Sequence, residues 1–276
     1  MKNTPPTNRL IVAILAVLVG LFMIAVAPYL VQISLHRVLT SLIEVSKEKP
    51  QYSSGIILFS LFFPVWRAFI FVGGVTLIVI APSLYKGEEW AYPAGLLASA
   101  FGGSGGMFMF LPYVSWVDGF PIPMAITFVS LIYFWASIFL RKVGVWEKVA
   151  QFLTLTFMGM LTTHAFVIGI AAQRMLLTRP EKPLFAGLEW WILTMSGEVN
   201  WIGVVLLIVA IPLLAFKRKA GWWLALFAAC SILIVDAPTQ IIRTATLDYL
   251  YGSLLSIGLL LWLLLPRFKK ALLGEG

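Results

Sequence analysis

The sequence predicts an all-α integral membrane protein that crosses the bilayer eight times. Of its 276 residues, 61% are hydrophobic and 12% are charged, and the mean hydropathy is +0.95. A soluble domain carries about 25% charged residues. The apolar residues also come in runs longer than about 18 residues, the length at which an apolar helix becomes a candidate membrane span. These observations indicate a polytopic helical membrane protein, and we expect membrane lipids among its partners.

Eight apolar segments follow one another along the chain. Proline, glycine and charged residues separate them, as at Pro82, Lys86, Pro121, Pro180 and Pro266, because such residues end or interrupt helices. The predicted spans cover residues 9–32, 56–82, 91–113, 121–141, 147–173, 199–216, 221–243 and 247–266.

Lysine and arginine predict the orientation of these spans. In an eight-span chain, the basic segments 141–148, 217–219 and 267–270 lie on the same side of the membrane as Lys2 and Arg9. Positive charge in short loops marks the cytoplasmic side. We therefore expect both termini in the cytoplasm and the chain in the plasma (inner) membrane.

Two connections on the opposite side are long, at residues 33–55 and 174–198. Both mix charged with apolar residues. Each is therefore either a short helix lying in the membrane interface or a solvated loop.

The two halves of the sequence resemble each other. Residues 73–82 read GGVTLIVIAP and residues 203–212 read GVVLLIVAIP, and a short basic turn and tryptophan follow each segment. Because each half has four predicted spans, it begins and ends on the same side of the membrane. We therefore predict two parallel four-helix repeats, at residues 1–142 and 143–276, and transporters often bind substrate between such repeats.

One predicted span concentrates four glycines in the stretch FGGSGGMFMF at 101–110. Small residues let helices approach closely in lipid, so Gly102, Gly103, Gly105 and Gly106 are interpreted as helix-packing positions. Glycine also weakens a helix by roughly 1 kcal/mol relative to alanine. A kinked or unwound helix facing protein or a water-filled cavity is the alternative.

The same stretch holds Ser104, with Phe108 four residues later, His164 in a later span and a Trp66-Arg67 pair upstream. These features resemble the rhomboid family of intramembrane serine proteases. The resemblance implies that Ser104 is the nucleophile and that His164 is its base. The chain departs from that family because it lacks the histidine and asparagine pattern of an early rhomboid helix. Its serine also comes late in an outward-running span, and its eight predicted spans differ from the six-span rhomboid core.

Several charged and polar residues share one predicted depth. Arg67 lies about 22 Å along its helix from Pro82, Glu198 lies about 21 Å from Pro212, and Asp236 lies about 22 Å into its span, at 1.5 Å per residue. Ser104, His164 and Asn200 lie near this level. Charged groups inside a membrane are costly, and most are functional or paired. We call these six residues the polar layer.

Three interpretations of the polar layer stay open. In the first, it lines an outward-facing cavity, where Arg67 pairs with Glu198 or Asp236 when empty and binds an anionic group when occupied. In the second, it is a structural ion-pair network. In the third, the span boundaries are displaced by a turn and the residues lie among the lipid headgroups.

Several classes of site are disfavoured. A single cysteine, Cys230, excludes an internal disulfide and a cysteine-built metal site. The two histidines, His36 and His164, fall at different predicted depths, so we expect no haem or metal centre. The chain also lacks a glycine-rich phosphate loop and the HExxH and CxxC motifs. We expect no cofactor, and no nucleic-acid partner because the basic residues lie in short loops.

The first functional hypothesis is a small transporter, or a binder of lipid-like or anionic small molecules, with Arg67, Glu198, Asp236, His164 and Asn200 at its binding site. The alternative is a non-catalytic membrane subunit or anchor of a larger respiratory or transport complex, with other subunits or further copies as partners. The third is an intramembrane hydrolase that uses Ser104 and His164. Whether the chain is an enzyme is left open.

Overall fold

The computed structural model describes residues 4–178, 187–244 and 246–274, with residues 175–178 described by their backbone alone. Within these ranges the chain forms ten α-helices and no strand. The helices are α1 (Pro6–Ala25), α2 (Ala27–Glu48), α3 (Ser53–Lys86), α4 (Ala91–Trp116), α5 (Pro123–Phe139), α6 (Val145–Thr178), α7 (Leu188–Ala215), α8 (Lys219–Ile242), α9 (Asp248–Leu264) and α10 (Pro266–Leu273). A 3₁₀ turn, Pro50–Tyr52, precedes α3.

Six of the described helices are long and apolar enough to cross a membrane: α1, α3, α4, α6, α7 and α8. Helices α9 and α10 form a further apolar pair, bent by 74° at their junction. Helix α5 is apolar but has 17 residues, about 25 Å of helix against a hydrocarbon core of about 30 Å. Every predicted span therefore contains a helix, and the number of crossings stays a prediction.

The connection at 33–55 is largely helical, because most of it belongs to α2, and a position in the membrane interface stays a prediction. The segment predicted as one span at 9–32 breaks after Ala25, close to Pro28, which has no N–H for the helix ladder. Helix α2 then continues to Glu48 and packs along α3. Its buried residues recur at helical spacing, which gives it an apolar face that packs against α3. In the connection at 174–198, residues 179–186 lie outside the described residues.

The two halves have the same packing order. In the first half, α3 packs against α1 and α4, α4 packs against α5, and α5 also contacts α1. In the second half, α7 packs against α6 and α8, α8 packs against α9, and α9 contacts α6. The halves meet where α4 contacts α6 and α7, and where α3 contacts α6.

Aromatic side chains fill much of this junction. The ring of Phe166 on α6 lies 4.7 Å from Trp201 on α7, 5.0 Å from Phe108 on α4 and 5.2 Å from Trp66 on α3, as centroid distances. All these pairs are edge-to-face, the arrangement that aromatic quadrupoles favour. Four helices from both halves therefore share one aromatic cluster around Phe166.

Ionic contacts join the halves at the end of the bundle where α1 begins and α5 ends. The carboxylate of Glu147 on α6 lies 2.9 Å from Lys217, just beyond α7, and 3.7 Å from Arg141, just beyond α5. Arg141 also donates to Gln151, which accepts a second hydrogen bond from the buried Tyr92 hydroxyl. These contacts hold α4, α6 and the ends of α5 and α7 together.

The glycine-rich stretch stays helical throughout, without a break in α4. A Cβ atom at Gly106 would lie 2.7 Å from the backbone nitrogen of Thr127 on α5, and one at Gly105 would lie 2.8 Å from the Trp66 ring on α3. Gly102 is similarly close to Ser130 of α5, whereas Gly103 has room for an ordinary contact. Helix α4 therefore approaches its two neighbours through glycine.

We expect Gly106→Ala to destabilise the protein by about 1–3 kcal/mol, because the new methyl group overpacks against the Thr127 backbone. Gly159→Ala on α6 is the matched control, since a Cβ there meets nothing within 4 Å. The control gains the helix propensity of alanine, about 1 kcal/mol at most. Thermal unfolding in detergent, followed by circular dichroism, measures both variants. Equal melting temperatures for the two variants would contradict the close contact of α4 with α5.

Candidate functional site

A buried carboxylate lies at the centre of the second half. Asp236 on α8 is 0% exposed, and its Oδ1 accepts hydrogen bonds of 2.8 Å from both Ser196 Oγ and Asn200 Nδ2. Ser196 and Asn200 are themselves 0% exposed and lie one turn apart on α7, so both face α8. The hydrogen bonds lower the cost of burying the acid in an apolar environment.

The other oxygen of this carboxylate faces a glycine. A Cβ atom built on Gly252 of α9 would overlap Asp236 Oδ2 and lie 3.0 Å from His164 Nε2 on α6. Both of these polar atoms are buried and have no hydrogen-bond partner among the described residues. We call this space the Gly252 notch. Four helices thus contribute to one polar cluster, made of Asp236, Ser196, Asn200, His164 and Gly252.

Helix α8 continues past its proline instead of ending there. Pro238 lies two residues beyond Asp236, and α8 runs on to Ile242. The proline has no N–H to offer the carbonyl of Ile234, one turn back. The carboxylate is therefore held on a helix with a gap in its hydrogen-bond ladder nearby.

The remaining members of the polar layer lie elsewhere. Arg67 on α3 donates a 2.8 Å hydrogen bond to Gln32 on α2, and Glu198 lies on the exposed side of α7. Residues two positions apart on a helix point in different directions, so α7 cannot turn both Glu198 and Asn200 towards Asp236. The predicted pairing of Arg67 with Glu198 or Asp236 is absent from the described contacts. A binding role for Arg67 and Glu198 stays a prediction.

The structure does not bring Ser104 and His164 together as a catalytic pair. Nε2 of His164 has no hydrogen-bond partner among the described residues, and it faces α9. Ser104 on α4 lines a separate cavity.

This cavity lies between the two halves and has a volume of about 250 Å³. Helices α4 and α5 form one side, and α6 with Ile211 of α7 forms the other. Phe128 and Met160 at its edge are 57% and 45% exposed, so the cavity opens on the outer surface of the bundle. We call it the α5–α6 cavity.

The lining of the α5–α6 cavity is apolar in chemical character. Met107, Met124 and Met160 contribute flexible apolar side chains. Of its threonines, Thr127 and Thr163 donate to the carbonyls of nearby glycines, at 3.3 and 3.0 Å. Their hydroxyl donors are therefore used within the protein, and the cavity presents mostly methyl, methionine and ring surface.

Sequence reasoning missed Ser196, Gly252 and the α5–α6 cavity. Ser196 lies one turn before Asn200 on α7, but the sequence predicted it in the connection 174–198, outside the span 199–216. Gly252 and the cavity had no signal in the sequence, because both depend on which faces of distant helices meet. Among the described residues, no group of three or more His, Cys, Asp or Glu residues is placed to hold a metal ion.

Comparison with protein-family models, with curated proteins and with solved structures finds no match to this chain.

We expect Asn200→Ala to destabilise the protein by about 1–3 kcal/mol, because it removes one of two donors to a buried carboxylate oxygen. Ser253→Ala on α9 is the control, since that hydroxyl donates only to the Tyr249 carbonyl in its own helix. Thermal unfolding in detergent at neutral pH measures both. A loss in Asn200→Ala no larger than in the control would show that Asp236 does not need the second donor.

Proposed function

We propose that the chain is an eight-span protein of the plasma membrane with both termini in the cytoplasm, and that it binds a lipid-like molecule between two parallel four-helix repeats. In this role it acts as a small transporter or as a lipid-binding protein. The matching packing order of α1, α3, α4 and α5 with α6, α7, α8 and α9 supports the repeat. The basic segments at 141–148 and 217–219 support the orientation.

The α5–α6 cavity is the single observation that carries this proposal. It lies at the junction of the two halves, where transporters built from repeats place their substrates. Its volume of about 250 Å³ falls just below the range of roughly 300–1,000 Å³ for pockets that enclose a whole drug-sized ligand. A cavity of this size suits part of a larger molecule, such as one hydrocarbon chain, with the remainder in the bilayer.

The chemistry of the lining favours a lipid over an anionic solute. The cavity has Ser104 and threonines but no charged residue in its lining. Methionine fits apolar partners of varied shape because its side chain is flexible and polarizable. Arg67, the cation expected to bind an anion, lies against Gln32 instead. Of the two ligand classes in the first hypothesis, the cavity therefore favours a lipid-like molecule over an anionic one.

We expect Gly159→Leu to remove a bound lipid by filling the α5–α6 cavity. Gly159 lines the cavity, and a Cβ there meets nothing within 4 Å, so the side chain enters open space. Val205→Leu is the control because Val205 is 60% exposed on α7 and does not line the cavity. Native mass spectrometry of protein extracted in gentle detergent measures bound lipid for the wild type and both variants.

The proposal predicts a lipid adduct in the wild type and in Val205→Leu that falls several-fold in Gly159→Leu. Equal adducts in all three proteins would place the lipid outside the cavity and contradict the proposal. A stable set of other subunits in the wild type, without a lipid adduct, would instead identify the chain as a membrane subunit of a larger complex.

A further inference from the structure

Helix α10 crosses the end of the second half instead of extending α9. The two helices are bent by 74° at their junction, and α10 contacts α6, α7 and α8. Its apolar side chains Phe268 and Leu272 are buried and lie one turn apart, so they face the bundle together. Arg267 and Lys270 are exposed. Helix α10 is therefore amphipathic, and its polar face is basic.

Two tryptophans hold cations of α10 in place. The guanidinium of Arg267 lies 3.6 Å from the ring centroid of Trp146 at the start of α6, and Nζ of Lys269 lies 4.4 Å from that of Trp222 at the start of α8. At these distances an aromatic face attracts a cation. Trp146 is also exposed, and tryptophan is enriched where a membrane meets water. We therefore expect this end of α6, with Arg267, at the level of the lipid headgroups.

The turn between α7 and α8 adds positive charge beside α10. Residues 217–219 read Lys-Arg-Lys, and Lys217 is paired with Glu147 at 2.9 Å. Cδ of Lys217 lies 3.0 Å from a Cβ atom built on Gly274, just past the end of α10, so the turn and α10 are in contact. Arg218 and Lys219 are exposed. We define the α10 basic surface by five residues: Arg218, Lys219, Arg267, Lys269 and Lys270.

The α10 basic surface has no carboxylate partner among the described residues. Like charges gathered in one region repel one another, and a bound anion relieves that repulsion. The turn between α3 and α4, at the same end of the first half, is different because it combines Lys86 with Glu88 and Glu89. Positive charge is therefore concentrated on the second half.

We propose that the α10 basic surface binds the headgroups of anionic phospholipids in the leaflet at this end of the bundle. Clusters of about four to eight Lys or Arg residues beside a membrane span or on an amphipathic helix attract such headgroups. The phosphate has acceptor oxygens to which arginine and lysine donate charge-assisted hydrogen bonds. A zwitterionic headgroup has the same phosphate, but its ammonium group cancels the net charge.

A phospholipid fits this surface better than an acidic protein segment does. Helix α10 begins at Pro266, two residues after α9 ends at Leu264. Leu261 and Leu264 of α9 are exposed, so an apolar surface directly adjoins the basic one. The occupant must therefore join an anionic group to an apolar region, as a phospholipid does.

This headgroup site goes beyond the proposed lipid function and uses different residues. The lining of the α5–α6 cavity contains none of the five residues of the α10 basic surface. The cavity contacts hydrocarbon, whereas the basic surface contacts charge. Lipids with equal acyl chains and different headgroups therefore distinguish the two sites.

Native mass spectrometry of the delipidated protein in gentle detergent tests the proposal. The protein receives equal amounts of phosphatidylglycerol and phosphatidylcholine with the same acyl chains, so the ratio of the two bound lipids reports on the headgroup alone. We expect the wild type to bind about tenfold more phosphatidylglycerol, since each Lys or Arg near an anionic surface contributes a factor of roughly five. Arg267→Gln combined with Lys270→Gln lowers this ratio by about fivefold or more.

Two further double variants make the test specific to this surface. Arg218→Gln with Lys219→Gln removes two exposed cations without changing α10, and we expect a similar loss of preference. Lys47→Gln with Lys49→Gln removes the same charge from exposed positions at the other end of the bundle, and we expect the wild-type ratio there. A monodisperse elution profile checks that each variant is folded.

Equal binding of the two lipids by the wild type overturns the proposal. An equal loss of preference in Lys47→Gln with Lys49→Gln also overturns it, because net charge alone would then explain the ratio. Gly159→Leu keeps the preference if the headgroup site is separate, and its loss there would place the anionic lipid in the α5–α6 cavity instead. An acidic subunit that co-purifies with the wild type, without any lipid preference, and is lost in Arg267→Gln with Lys270→Gln would identify a protein interface and overturn the lipid assignment.

Discussion

The hydrogen bonds from α7 to the Asp236 carboxylate are the interaction on which the second half of the structure depends. Water does not reach an apolar interior, so a buried acid must obtain its donors from the protein. Ser196 and Asn200 supply them at 2.8 Å and thereby fix both the register and the rotation of α7 against α8. Helix α9 can then approach only where it has no side chain, at Gly252. His164 completes the cluster from α6.

The proposed repeat makes a contrast between the halves visible. The alignment that pairs Gly73 with Gly203 also pairs Trp66 with Ser196, Ile70 with Asn200 and Gly106 with Asp236. The first half therefore has an aromatic ring, an aliphatic side chain and a glycine at the positions where the second half has a polar cluster. The two halves thus have different interiors at these positions: an apolar one in the first half and one with a buried acid in the second half.

The glycines change helices between the two halves. In the first half the glycine lies on α4, where Gly106 meets Thr127 of α5. In the second half the larger residue is Asp236 on α8, and the glycine is Gly252 on α9. Where α4 packs against α5, and where α8 packs against α9, a close crossing needs one small residue. Either helix of the pair can provide it.

The sequence predicted the helices well because hydropathy reports directly on contact with lipid, and each predicted span contains a helix. The exact helix ends were harder to predict, because α2 continues to Glu48 with an apolar face against α3, where a connection between spans was expected. The depth of a residue along its span predicted correctly that Asp236, Asn200 and His164 lie close to one another. Depth does not tell which side of a helix a residue faces. It therefore grouped Glu198 with Asn200, although the two side chains point to different sides of α7. The cavity could not be predicted, because it arises from the distance between α5 and α6, which no local pattern encodes.

An experimental density map of the protein in nanodiscs formed from its native membrane lipids tests the central claim most directly. The account predicts eight helices crossing the bilayer and an elongated density in the α5–α6 cavity, beside Ser104 and Thr163, continuous with the surrounding lipid. A cavity closed by direct contact of α5 with α6, or one filled by a helix of another subunit, would contradict it.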